Sequence, residues 1–135
     1  MAKIKKIHHV ALVVPELDTA LNFWRDTVGV PLDHIEEVPS QQSKIAMLST
    51  GETVLELVQP TSADSGLAKY LDKRGAGMHH ICFEVDNISE MLITLKEKGV
   101  RLIDEEPKEL EGRKMAFIHP KSTGGVLMEL YEVVN

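Results

Sequence analysis

The feature that most constrains this chain is that it contains a second version of itself. Ile7-His8-His9-Val10-Ala11-Leu12-Val13-Val14 resembles Met78-His79-His80-Ile81-Cys82-Phe83-Glu84-Val85, and the step from His9 to His80 is 71 residues. A repeat is the first thing to establish, because overlooking one misreads the whole fold. The register persists into the next element. Leu17, Ala20, Leu21 and Trp24 have apolar counterparts 71 residues on at Ile88, Met91, Leu92 and Leu95. Both sets have the i, i+3, i+4, i+7 spacing of an amphipathic helix. Gly29 and Gly99 suit the two helix ends, where a left-handed residue closes the last turn. Their step is 70, so the first helix end is one residue longer than the second.

Beyond the helices, alternating stretches predict strands over 33–38, 44–48 and 53–58 in the first half and over 100–104, 114–118 and 126–133 in the second. Gly51-Glu52 and Gly124-Gly125 supply turn residues for the last hairpin of each half. Each half is therefore strand, helix, then three strands, with modules at about 4–60 and 76–134. The intervening 61–75 reads as a linker with a short helix, since Leu67, Tyr70 and Leu71 keep helical spacing. A module of about 60 residues is small for an independent core, and pairing two related sheets buries the face each would leave open. The expected fold is α+β: one domain over 1–135, in which two paired βαβββ modules pack about a pseudo-twofold axis.

Composition closes off several functions. The 135 residues, 43% hydrophobic and 27% charged, are those of an ordinary globular chain. A net charge of −6 has the wrong sign for neutralising nucleic-acid phosphates, and 4% aromatic residues make no base-stacking platform. The longest apolar run, five residues from Val10 to Val14, falls far short of the roughly 20 needed to span a membrane. Cys82 is the single cysteine and makes no internal disulfide, which fits a reducing compartment. The expectation is a cytoplasmic protein with a small-molecule substrate and neither a nucleic acid nor a membrane as partner.

The repeat also duplicates chemistry. Val54-Leu55-Glu56-Leu57-Val58 and Leu127-Met128-Glu129-Leu130-Tyr131 each set one carboxylate among apolar residues. Strand alternation groups His9 with Ala11 and Val13, and His80 with Cys82 and Glu84, whereas His8 and His79 fall on the more apolar side. Each module thus offers one histidine from its first strand and one glutamate from its last. His9, Glu56, His80 and Glu129 make a mixed nitrogen and oxygen set suited to Co2+, Ni2+, Mn2+ or Zn2+. A carboxylate among apolar residues is costly alone, and a cation offsets that cost. A lone histidine or glutamate on a strand is usually structural; the duplication supplies two coincidences.

These residues resemble the vicinal oxygen chelate superfamily, and within it the methylmalonyl-CoA epimerase family. The resemblance is carried by His8-His9-Val10-Ala11, Gly77-Met78-His79-His80-Ile81-Cys82, Val85-Asp86-Asn87-Ile88, Asp104-Glu105-Glu106-Pro107, His119-Pro120-Lys121-Ser122 and Gly125-Val126-Leu127-Met128-Glu129-Leu130. It implies that the two paired βαβββ modules form a curved, cup-like mixed sheet around a metal site, with His9, Glu56, His80 and Glu129 as ligands of a divalent metal, Co2+ first with Ni2+, Mn2+ and Zn2+ also admitted, and an acyl-CoA as substrate. The implied reaction interconverts (2R)- and (2S)-methylmalonyl-CoA by a 1,1-proton transfer at C2 through a metal-stabilised enolate, with Glu129 also catalytic on one face. A homodimer is expected.

The chain departs from the family on the other face. Some members carry a second acid on the third strand, where this chain has Ser43-Lys44-Ile45-Ala46; Lys44 and Glu84 are the candidates, against plain readings as a solvated lysine and an acid at the rim of the sheet. Gln42 stands where the family commonly has glycine. Lys69, Lys73, Arg74, Lys114 and Lys121 are cations near the motifs that could meet CoA phosphates, His119 reads as a turn residue, and Met47, Met78, Met115 and Met128 read as core. Three competing activities share the fold. Glyoxalase I, the alternative, needs groups for a tripeptide that no cluster here supplies. An extradiol dioxygenase favours two histidines with one carboxylate, so a fourth protein ligand counts against it. A metal-free drug-binding protein needs an aromatic groove that one Trp, two Tyr and three Phe hardly furnish.

Overall fold

A computed structural model describes residues Met1–Asn135. Eight strands and three helices follow in order: β1 (Ile4–Val13), α1 (Leu17–Leu21), β2 (Leu32–Val38), β3 (Ser43–Ser49), β4 (Val54–Pro60), α2 (Gly66–Arg74), β5 (Gly77–Val85), α3 (Ile88–Glu97), β6 (Lys108–Leu110), β7 (Arg113–Ile118) and β8 (Met128–Val133). The fold is α+β with the βαβββ order twice, and α2 occupies the expected linker. The chain divides into two compact units, Val10–His79 on one side and Met1–His9 with His80–Asn135 on the other. The division falls immediately after His9 rather than at the linker, so β1 contributes to both units.

In the unit spanning Val10–His79 the strands run β2-β3-β4-β1. β2 pairs antiparallel with β3, and β3 with β4, in a register that sets Met47 opposite Glu56 and Lys44 opposite Gln59. Leu17 and Leu21 of α1 pack with Val14, Ala46, Leu48 and Leu57, the apolar stripe doing what its spacing predicts. The extra residue before Gly29 is absorbed within the helix. α1 continues from Asn22 to Thr27 as a π-helix. Val28 N–H donates to the Phe23 carbonyl at 2.9 Å and Val30 N–H to that of Trp24 at 2.9 Å. One inserted residue widening one turn is how π-bulges arise in helices.

In the other unit the order is β1-β5-β8-β7-β6. β5 and β8 are parallel, with Cys82 beside Glu129 and Phe83 beside Leu130, while β7 runs antiparallel to both β8 and β6. Ile88 and Leu92 of α3 pack with Val85, Ala116, Ile118 and Leu130. No widened turn is needed here: the closing bond runs from Val100 N–H to the Leu95 carbonyl at 3.0 Å, one residue shorter than its counterpart in the first module.

Two expectations need correction. Residues 100–104 do not form a strand; a single bridge joins Leu102 to Ile118. The Asp104 carboxylate takes the Phe117 N–H at 2.8 Å, and the Ile103 and Asp104 N–H groups share the Phe117 carbonyl. A side chain thus occupies the ladder position, Pro107 supplies no donor, and the strand resumes only at Lys108. Met78 is 69% exposed, so it is no part of the core, whereas Met47 and Met115 are buried.

The helix starts show a device that composition hides. Leu17 N–H donates to Oε1 of Gln59 at 2.8 Å, and Ile88 N–H donates to Oε1 of Glu132 at 2.7 Å. Gln59 lies three residues beyond Glu56, and Glu132 three beyond Glu129, so in each module the last strand caps the helix. At α3, Asn87 adds a second cap by accepting the Glu90 N–H at 3.1 Å.

Candidate metal centre

Three of the four candidate ligands meet within one unit. β5 brings His80 two residues before Cys82, and β8 sets Glu129 between Cys82 on β5 and Phe117 on β7. His9 closes the group from the end of β1. Its Nε2 lies 3.2 Å from His80 Nε2 and 3.0 Å from Glu129 Oε1, and His80 Nε2 lies 3.0 Å from the same oxygen. All three are buried, at 2%, 7% and 4% exposure for His9, His80 and Glu129. The Phe117 ring meets His80 edge-on at 5.4 Å and walls that side.

The electrostatics follow from this packing. Burial alone pushes the Glu129 carboxyl upward, but hydrogen bonds from His80 and then His9 reverse the shift and hold it at about 2. The group therefore stays a carboxylate, with Oε1 shared by two imidazoles.

This donor set fits a divalent cation. Ligands at about 2.1 Å from an ion and at right angles to one another lie about 3.0 Å apart, the spacing of the three atoms here. Two imidazole nitrogens and a carboxylate oxygen suit borderline ions such as Co2+, Ni2+, Mn2+ and Zn2+. Glu56 is likewise buried, at 5% exposure, in the middle of β4.

The remaining candidates fall in distinct surroundings. Glu84 is no exposed rim acid: it is 7% exposed and pairs with Lys5 Nζ at 3.2 Å. Lys44 is half-buried on β3 opposite Glu37 and Gln59. His119 is a turn residue as expected, its Nδ1 accepting the Lys121 N–H at 3.0 Å at the start of a single 3-10 turn. Gln42 sits at φ 50°, in the left-handed region, with its N–H on the Pro39 carbonyl. Lys69, Lys73 and Arg74 are exposed on α2, and Arg74 lies over the Tyr70 ring at 5.6 Å. Lys121 is exposed and Lys114 half-buried.

Sequence reasoning set His8 aside as a residue of the opposite face. Its Nδ1 nevertheless lies 2.8 Å from His9 Nδ1, and its ring stacks on Tyr131 with centroids 4.4 Å apart. Burial, and then the neighbouring His9, lowers the His8 pKa to about 4. The doubled histidine was the available signal, but strand parity argued against reading it as a contact.

Comparison with known proteins shows the family. The profile of the Glyoxalase/Bleomycin resistance protein/Dioxygenase superfamily matches residues 8–117. The mitochondrial methylmalonyl-CoA epimerase of Mus musculus is 39% identical over 130 residues, 95% of this chain and 73% of that protein. The chain belongs to the methylmalonyl-CoA epimerase family of this superfamily. The family also includes an ethylmalonyl-CoA/methylmalonyl-CoA epimerase of Cereibacter sphaeroides, 35% identical over 96% of this chain and 99% of that one. A solved methylmalonyl-CoA epimerase in complex with methylmalonyl-CoA and NH4+ superposes with a TM-score of 0.89 at 33% identity, covering 98% of this chain and 96% of that one. A probable lactoylglutathione lyase of Arabidopsis thaliana stands further off, at 25% identity.

Proposed function

We propose that this chain interconverts (2R)- and (2S)-methylmalonyl-CoA by removing and returning the C2 proton, with His9, Glu56, His80 and Glu129 holding a divalent cation. The observation that supports this reading most is the convergence of His9, His80 and Glu129 in a member of the epimerase family. Glu56 completes the set by the repeat, as the buried acid of the first module's last strand. A divalent ion held there would supply Lewis acidity toward the thioester and carboxylate oxygens of the substrate, worth roughly several kcal/mol.

The chain's own groups do the rest. Glu129 Oε1 lies 3.0 Å from Nε2 of each imidazole, on the side where the cation would sit, and its Oε2 is the atom to which we assign the C2 proton on one face. A planar carbanion is re-protonated from the opposite side by a second group, as any epimerisation at one carbon requires. Burial of all three side chains keeps water away from them, so the charges act at low dielectric.

The reading includes one vicinal oxygen chelate domain over 1–135, Co2+ as the ion, a homodimer and a cytoplasmic location; no helix is long and apolar enough to cross a membrane. Elemental analysis checks the ion and sedimentation equilibrium the assembly. The activity is tested by solvent-deuterium wash-in at C2 of methylmalonyl-CoA, beside an assay for lactoylglutathione formation from methylglyoxal and glutathione. We expect deuterium at C2 from either epimer and no lactoylglutathione. Protein with bound metal that leaves the C2 proton unexchanged, or a His80→Ala variant with undiminished metal content, sinks the reading.

A further inference from the structure

We propose that His8 is a positioning residue for the metal centre: its Nδ1 accepts the Nδ1–H of His9 and so holds His9 in the tautomer whose Nε2 lone pair faces Glu129 and His80. The inference rests on the metal-site reading above.

A neutral imidazole carries one donor and one acceptor. If Nε2 of His9 is to bind a cation, the proton must sit on Nδ1, and a metal-bound histidine normally gives that proton to a carboxylate or a backbone carbonyl. Here the atom standing 2.8 Å from His9 Nδ1 is the Nδ1 of the neighbouring ring. Adjacent strand residues ordinarily point to opposite faces, so alternation does not produce this contact.

Packing holds the His8 ring where the contact needs it. The ring lies on Tyr131, with centroids 4.4 Å apart and planes inclined by 30°. Tyr131 is itself buried, and the Arg113 guanidinium lies over it at 5.7 Å. Tyr131 also meets the His9 ring edge-on at 5.8 Å. It follows Glu129 by two residues on β8, so a single strand supplies both a ligand for the cation and the platform for His8. The chain of contacts from Tyr131 through His8 and His9 to Glu129 closes on the strand where it began.

The test uses metal-loaded protein and three variants. Long-range 1H–15N correlation spectra of the Zn2+-loaded wild type report tautomers directly: we expect His9 protonated at Nδ1 and His8 neutral and protonated at Nε2. His8 protonated at Nδ1 overturns the inference without any substitution. His8→Leu removes the acceptor, and His8→Asn places an amide oxygen near it. We expect His8→Leu to weaken Co2+ binding, measured by competition with a chromogenic chelator, by about 10- to 100-fold, with a shift in the cobalt absorption bands. His8→Asn restores the affinity to within about threefold and returns the bands. Equal losses in both variants, or wild-type affinity and bands in His8→Leu, overturn the inference. His9→Ala separates the two readings: loss of metal there leaves the site standing whatever His8 does, and undiminished metal overturns both.

Discussion

Between β2 and β3 the chain turns through Gln42 at φ 50°, and between β6 and β7 it turns through Gly112, 70 residues later, at φ 74°. The same left-handed position is filled by glycine in one module and by a bulky residue in the other. Glycine adopts it at no steric cost, whereas a side chain there costs about 1 kcal/mol or more. A similar divergence recurs at the helix starts. A neutral amide from Gln59 caps α1, while a carboxylate from Glu132 and the Asn87 side chain both cap α3. The first module has a left-handed glutamine, a widened helix and a neutral cap; the second has a glycine at the turn, no widened turn and a charged cap. The two modules differ at turns and helix ends and resemble each other in the strands that carry the histidines and acids.

The comparison is sharpest at the two acids. Glu129→Ala removes the oxygen that both imidazoles share, and C2 proton exchange should fall by about 100-fold or more; if Glu56→Ala falls as far, the acids are equivalent, and a smaller loss assigns the larger share to the second module. Next in size is an acid limb. The Glu129 carboxyl is held at about 2, below its ordinary 4.5, so metal-free protein gains stability from it above pH 4.5 and loses that gain as the pH falls toward 2. The loss is on the order of 3 kcal/mol, read from urea midpoints across that range in chelator, and Glu129→Gln should abolish the limb. Gly112→Gln should destabilise by about 1 to 2 kcal/mol, because it builds into β6–β7 the strain that Gln42 already carries. Glu132→Ala should cost about 1 kcal/mol through the α3 start, and more than Gln59→Ala if the charge of the cap matters. Smallest, Gln42→Gly should raise the urea midpoint by an amount worth about 0.5 to 1 kcal/mol; a fall would mean that the glutamine side chain contributes more than its backbone costs.

Much of this was open to a reader of the bare sequence because period and parity report where a side chain faces. Alternation separates His9 from His8 and groups His80 with Cys82, and the repeat pairs Glu56 with Glu129. Gln42 stands where the family commonly has glycine, and its φ of 50° is the backbone reason. Other features depend on contacts that no period encodes. The widened turn after α1 left only a change of step from 71 to 70. The caps from Gln59 and Glu132 join residues more than 40 apart. The Asp104 side chain displaced a strand that its neighbours' alternation had promised, since a carboxylate can take a ladder N–H as well as a carbonyl can. The contact of His8 with His9 is hidden for the converse reason: parity describes which way a side chain leaves the backbone, and a long ring can still reach its neighbour's edge.

The widened turn of the first helix has an evolutionary corollary. Within a strand, a single added residue would turn every later side chain onto the wrong face, and a histidine or glutamate beyond it would be lost to the site. Placed at the end of a helix, the same addition costs one loosened turn and leaves the downstream strands facing as before. Descendants of this gene should therefore vary in length at helix ends and hairpins, while the spacing within each strand that carries a candidate ligand stays frozen.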